Sequence, residues 1–245
     1  MPTTSKEFSD IRTLMQSITN PIGIDISHHQ PLVDWGKVKD FGIKWAYIKS
    51  TEGAYHKDAM FLPHWQGAKS VGIPVSAYHY AILYWNGKVT SPEKEAKNLL
   101  STVPVNYDLP LGLDLEPHEV ELIVKNAGVD SAIDWIERYI AVIVDETGYM
   151  PALYTHPFIM GKQLLDKSAN IFKIYKTWWA RYVTNLNTLV NKDLTLPNGW
   201  GWNFWQFTSN GIVSGVSGRV DVNMFNGSPE QFDMFLKTWK ISEAI

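Results

Sequence analysis

The chain contains no cysteine. That excludes disulfides, zinc–thiolate centres and thiol nucleophiles, and it leaves the redox compartment open. Positive charge is also scarce: 22 Lys and Arg stand against 25 Asp and Glu, for a formal net charge of −3. Phosphate backbones are bound by concentrated Lys and Arg, and no basic stripe is present, so nucleic acid is not expected as a partner. No apolar run reaches membrane-spanning length, so no membrane insertion is expected. Residues 1–20 lack the basic start, unbroken apolar centre and small-residue cleavage site of a secretory signal. Export, if needed, is expected by another route. With thiols absent, chemistry must rest on carboxylates, His, hydroxyls and aromatics, and acid catalysis by carboxyl groups is expected to need no cofactor or metal.

What is present is an ordinary globular balance, 45% hydrophobic and 19% charged. A length of 245 residues fits one α/β barrel as readily as two small domains. The 11 Trp and 11 Tyr are conspicuous. Their rings combine an apolar face with a polar tip, which suits either a core or a surface that packs against sugar rings.

The stretch Leu109-Pro110-Leu111-Gly112-Leu113-Asp114-Leu115-Glu116-Pro117 organises the rest. It is short, apolar and ended by Pro117, which suits a buried strand. Strand side chains alternate between faces, so Asp114 and Glu116 share one face and Leu113 and Leu115 the other. The Cα atoms of the two acids should stand roughly 6–7 Å apart, close enough for each charge to oppose the other's ionisation and raise one pKa. A proton donor beside an anion is the equipment of glycosidic bond cleavage.

Around that strand the pattern is strand, loop, helix, repeated. Strands are expected at 22–27, 44–50, 74–80, 150–155, 177–183, 201–208 and 220–223. Helices are expected near 33–41, 62–70, 91–100 and 130–148, as a turn within 158–165, and from the capping sequence Ser228-Pro229-Glu230-Gln231 onward. Residues 185–199 are polar and suggest a loop, and residues 1–20 a short amphipathic helix or linker. Strands alternating with helices favour a parallel sheet, and about eight of them in this length favour a single barrel over residues 21–245. Asp25, Lys49, Tyr78, His79, Asp114, Glu116, Tyr154, Arg181, Gln206 and Asp221 all fall near expected strand ends. Barrel active sites form there.

Seven ordered pieces carry a resemblance: Gly23-Ile24-Asp25-Ile26-Ser27, Ala77-Tyr78-His79-Tyr80, Gly112-Leu113-Asp114-Leu115-Glu116, Ala152-Leu153-Tyr154-Thr155, Trp179-Ala180-Arg181-Tyr182, Trp205-Gln206-Phe207 and Gly218-Arg219-Val220-Asp221-Val222-Asn223. Together they resemble glycoside hydrolase family 25, the Chalaropsis-type lysozymes, with bacteriophage endolysins nearest in style. The resemblance spans residues 21 to about 240. It implies a flattened β/α barrel that cuts the β-1,4 bond after N-acetylmuramic acid in peptidoglycan, acting as a monomer on glycan strands of the bacterial wall. It also implies Glu116 as catalytic acid, Asp114 beside it, and Asp25 and Asp221 as further acids of the groove. A phage-type enzyme would be made in a host cytoplasm and released to the wall, or carried in a virion. The separate wall-binding module of many phage members is not evident.

Individual residues carry narrower expectations. Glu116 should hold a proton near neutrality, while Asp114 stays charged and either stabilises an oxocarbenium-like transition state, orients the substrate's 2-acetamido group or helps position water. Asp25 and Asp221 either bind sugar hydroxyls or tune Glu116. Lys49 is a groove cation, and Arg181 and Gln206 complete the binding set. Tyr78, Tyr154, Trp179 and Trp205 are sugar platforms or core. His28 and His29 diverge as strand neighbours do, so they are expected to pack a loop rather than hold a metal. The rival readings are a wall-binding barrel with a dead site and a metal-dependent amino-sugar deacetylase.

Overall fold

The computed structural model describes residues 9–156, 176–194, 196 and 201–240. The helical turn expected within 158–165 lies outside them. Eleven strands and eight helices are defined among the described residues. The strands are β1 Ile22–Ile26, β2 Trp45–Glu52, β3 His56–Lys57, β4 Val75–Tyr80, β5 Tyr84–Trp85, β6 Lys88–Val89, β7 Gly112–Leu115, β8 Ala152–Thr155, β9 Lys176–Ala180, β10 Phe204–Gly211 and β11 Val220–Phe225. The helices are α1 Ile11–Ser17, α2 Trp35–Phe41, α3 Phe61–Ser70, α4 Pro92–Leu100, α5 Pro117–Ala127, α6 Val129–Thr147, α7 Leu186–Val190 and α8 Pro229–Thr238.

Eight strands close on themselves in the order β1, β2, β4, β7, β8, β9, β10, β11, with β11 returning to β1. The expectation of a single barrel is met, with one change. The neighbours from β1 through β10 run parallel, but β11 runs antiparallel to both β10 and β1. The cause is the connection: residues 212–219 hold no helix, so the chain turns back directly instead of crossing over. Asp221 therefore stands at the start of its strand, and the reversal brings that start to the mouth where the parallel strands end.

Alternation sorts each strand into two layers. Outward residues such as Ile24, Ile48, Ala77, Leu113, Leu153, Trp205 and Val222 join one continuous core with helix residues such as Val38, Trp65, Leu99, Ile123, Ile136 and Ile143. Inward residues form a second, mainly aromatic core of Trp45, Tyr47, Tyr154, Trp178, Phe204 and Phe225, closed from below by Phe232 of α8. Tyr47 and Trp178 stack with centroids 4.4 Å apart, and Trp45 packs on Phe204 at 5.0 Å. Rings this large fit because two inward positions carry no side chain. A Cβ on Gly23 would stand 2.2 Å from the Trp45 ring, and one on Gly112 2.9 Å from the Tyr78 Cβ.

The local signals place most helices. Asp34 and Ser91 cap α2 and α4, and Ser228 and Gln231 form a capping box on α8. Three elements depart from expectation. Pro117 ends β7 but also opens α5 at its first helical position, where a missing N–H costs nothing. The hairpin β5–β6 turns on Asn86 and Gly87, both at positive φ, an Asn-Gly pair suited to tight turns. Within the polar stretch 185–199, Asn185 caps the short helix α7. Of the alternatives for residues 1–20, the helix is realised as α1, whose Ile11 and Leu14 are buried in the outer core.

Candidate active site

The mouth of the barrel is built from inward positions at the ends of the parallel strands. Asp25 on β1 lies opposite Asp221 on β11, and Asp114 on β7 lies between Tyr80 on β4 and Tyr154 on β8. Glu116 follows one pleat beyond Asp114 as the N-cap residue of α5, and its side chain makes no capping bond. The four acids thus surround one opening. Their fields overlap: Asp25 and Asp221 both act on Asp114, and Asp25 acts on Glu116.

Burial dominates their titration. Asp25 is pushed up to about 6, although Gln206 Nε2 and Asn223 Nδ2 both donate to its Oδ2, at 2.9 and 2.7 Å, and pull the other way. Those amides are themselves fixed. Tyr154 and Tyr182 donate their hydroxyls to Gln206 Oε1 at 2.8 and 3.0 Å, and Trp178 donates its indole N–H to Asn223 Oδ1 at 2.7 Å. Asp114 lies well above the ordinary carboxylate range through burial, then through the charge of Glu116, and only Lys49 opposes this among its main influences. Its Oδ1 is buried and accepts no hydrogen bond. Glu116 is raised by burial and by Asp25, again with Lys49 in opposition. Lys49 Nζ sits 2.7 Å from Glu52 Oε2 and 4.6 Å from the centre of the Tyr80 ring.

Against expectation, then, the upward push is not confined to Glu116. Asp114 is the deeper of the two and is pushed harder, because its burial is more complete and Glu116, Asp25 and Asp221 all act on it. Ionisation is thus opposed in both members of the pair, and Glu116, half-buried at the rim, is the more exposed of the two.

Other sequence-selected residues divide cleanly. Lys49, Tyr78, Tyr154 and Gln206 point into the barrel with the acids, and the phenols of Tyr78 and Tyr154 are raised by burial and by the surrounding carboxylates. Trp179 and Trp205 do not join them. Both face outward into the helix-side core and are fully buried, with indole N–H groups on the carbonyls of Gly201 and Arg181. Strand alternation fixes this, since Trp178 and Gln206 take the inward positions. Their assignment as sugar platforms is corrected to core. Arg181, one residue past β9, likewise falls on the outward phase: its guanidinium reaches the Asp193 carbonyl at 3.5 Å and adds to the burial that depresses the pKa of His156. His79 also faces outward, bonded to Thr51 Oγ1 and Glu95 Oε2 at 2.8 and 3.0 Å. His28 pairs with buried Asp58 at 2.6 Å and packs at a tilt against His29, ring centroids 4.1 Å apart, which holds the loop after β1.

Tyr182, Asn223, Tyr80 and Glu52 belong to the site but were not singled out from the sequence. The signal was available for three of them. Tyr182 lies two residues after inward Ala180, Asn223 two after Asp221, and Tyr80 two after Tyr78, so period-two alternation places each on the same face.

Comparisons with known proteins agree with this fold. Lysozyme M1 of Streptomyces globisporus is 30% identical over 232 residues, covering 89% of this chain and 72% of its own length. The N,O-diacetylmuramidase of Chalaropsis sp. is 27% identical, with 81% and 95% covered. A crystal structure of a bacterial lysozyme from Streptomyces coelicolor superposes with a TM-score of 0.76 at 28% identity, covering 90% of this chain and 98% of that one. The model of Glycosyl hydrolases family 25 matches residues 24–216, well over half of the sequence, and the chain belongs to that family.

Proposed function

We propose that this chain is a muramidase that hydrolyses the β-1,4 bond between N-acetylmuramic acid and N-acetylglucosamine in bacterial peptidoglycan, with Glu116 as general acid. The observation that carries the reading is the pair Asp114 and Glu116 at the barrel mouth, both with ionisation opposed by burial and by neighbouring carboxylates. Such a pair keeps a proton available where an unperturbed carboxyl would have lost it. Glu116 gives that proton to the leaving glycosidic oxygen. Asp114 sits beneath it with a buried, unbonded Oδ1, an arrangement that costs about 1–3 kcal/mol until a donor arrives. The N–H of a substrate 2-acetamido group is such a donor, and it would be oriented by the contact. Asp25, fixed by Gln206 and Asn223, tunes the pair electrostatically, and Asp221 lines the facing wall.

The substrate is the glycan strand of the bacterial wall, and the enzyme works there as a monomer without inserting into a membrane. Release from a host cytoplasm, in the manner of an endolysin, is the route proposed for reaching it. Glu116→Gln should keep the melting temperature while lowering turnover of purified wall about a thousandfold or more. Mass spectrometry of digested peptidoglycan tests the bond: fragments with reducing-end muramic acid support the reading, whereas reducing-end glucosamine or released peptides overturn it.

A further inference from the structure

Beside the acid site, the β2–β3 turn and the β5–β6 hairpin face each other across a groove of about 530 Å³ lined mostly by apolar surface. Its walls include Glu52, Gly53, Tyr55, His56, Ile82, Trp85, Ser91 and Lys94. Tyr55 is 80% exposed and Trp85 64% exposed, an unusual investment of aromatic surface in solvent. These rings are not on slack loops. Asn98 of α4 donates to the carbonyls of Gly53 and His56 at 2.9 and 3.0 Å, which fixes the turn bearing Tyr55. On the other wall Trp135 donates to Thr90 Oγ1, Thr90 in turn bonds the Ile82 carbonyl, and the Thr90 N–H bonds the Leu83 carbonyl, so the base of the Trp85 hairpin is tied to α6.

One residue, Glu52, links the groove to the acid site. Glu52 forms its inner wall and holds Lys49, the cation that acts on Asp114 and Glu116. A chain of rings joined by equatorial bonds presents C–H groups on its flat faces and hydroxyls along its edges. Aromatic faces with Lys94 and His56 beside them match that pattern.

Resting on the muramidase reading, we infer that Tyr55 and Trp85 form a distal saccharide subsite, which grips the same glycan strand several sugars away from the bond that is cut. The subsite favours long strands over short ones and has no part in the chemical step. Both positions are exposed, so removal of either ring leaves folding within the small range of surface substitutions.

The test uses the Glu116→Gln protein, in which binding is measured without cleavage. Calorimetry with peptide-free glycan octasaccharide and tetrasaccharide gives the affinity advantage of the longer ligand. Trp85→Ala should reduce that advantage about fivefold, Tyr55→Ala by a similar factor, and Trp85→Phe should restore most of it. An advantage unchanged in both alanine variants overturns the subsite. So does one that appears only when stem peptides are attached, which would assign the groove to peptide instead. Failure of catalysis to yield reducing-end muramic acid in the parent chain would strike the muramidase reading alone, because the affinity ratio is measured separately.

Discussion

Asp25 offers the sharpest quantitative test of the site. Its carboxyl is held near 6 in the fold against about 3.8 when unperturbed, chiefly by burial. A raised carboxyl pKa means that the native state binds the proton more tightly than the unfolded chain does. Its contribution to stability is therefore fully present below about pH 4 and is lost as pH rises through 6. The size of that loss, once both forms are ionised, is roughly 3 kcal/mol. Asp25→Asn removes the ionisable group while leaving an oxygen that accepts from Gln206 and Asn223. Urea unfolding at pH 4.0 and pH 7.5 should then show the stability difference between variant and parent moving by roughly 2.5 kcal/mol in favour of the variant at the higher pH. Any fixed penalty from repacking cancels in that comparison. A difference that stays constant with pH, or moves in favour of the parent, would refute the claim that Asp25 is a desolvated carboxyl.

Other perturbations probe separate parts of the structure. Lys49→Met removes the cation that opposes the raised pKa values of Asp114 and Glu116, so the alkaline limb of kcat/KM should shift to higher pH; a shift toward acid contradicts the assigned role. Gly23→Ala drives a Cβ into the Trp45 ring and should cost about 3 kcal/mol, visible as a lower Tm and partly relieved by adding Trp45→Phe. Trp205→Phe, which removes an indole bonded to the Arg181 carbonyl in the outer core, should lower Tm while the KM for purified wall changes less than twofold. A large rise in KM with an unchanged Tm would return Trp205 to the sugar site.

The elements legible in the sequence were those whose signal is local. Ser228 and Gln231 announced α8, Ser91 and Pro92 announced α4, and alternation around Leu113 and Leu115 placed Asp114 and Glu116 on one face. The errors arose where a local pattern has two tertiary outcomes. Trp178-Trp179 and Trp205-Gln206 each put one residue inside the barrel and one outside, and nothing in the dipeptide says which. That phase is set by pairing with neighbouring strands, through registers such as Trp205 with Trp179 and Gln206 with Ala180. The direction of β11 was hidden for a related reason. A strand's sequence carries no arrow, and only the helix-free return of residues 212–219 makes it antiparallel.

Registry also explains why the acids titrate as they do. Below the mouth the barrel is filled by Tyr47, Trp178, Phe204 and Trp45, so the carboxyls rest on a dry aromatic floor instead of solvent. A carboxylate placed there must be compensated by donors or lose its charge. The strands supply donors unequally. Gln206 and Asn223, inward on β10 and β11, both reach Asp25 from its side of the barrel, and their own acceptor atoms are occupied by phenol and indole donors. Across the opening, Asp114 has Tyr80 and Tyr154 as strand neighbours, and Tyr154 spends its hydroxyl on Gln206. The same hydrogen-bond chain that partly stabilises the charge of Asp25 therefore withholds a donor from Asp114. This asymmetry opposes the ionisation of Asp114 more strongly than that of Asp25, the direction that the proposed chemistry requires, and the aromatic core beneath the acids depends on Gly23 and Gly112 having no side chains.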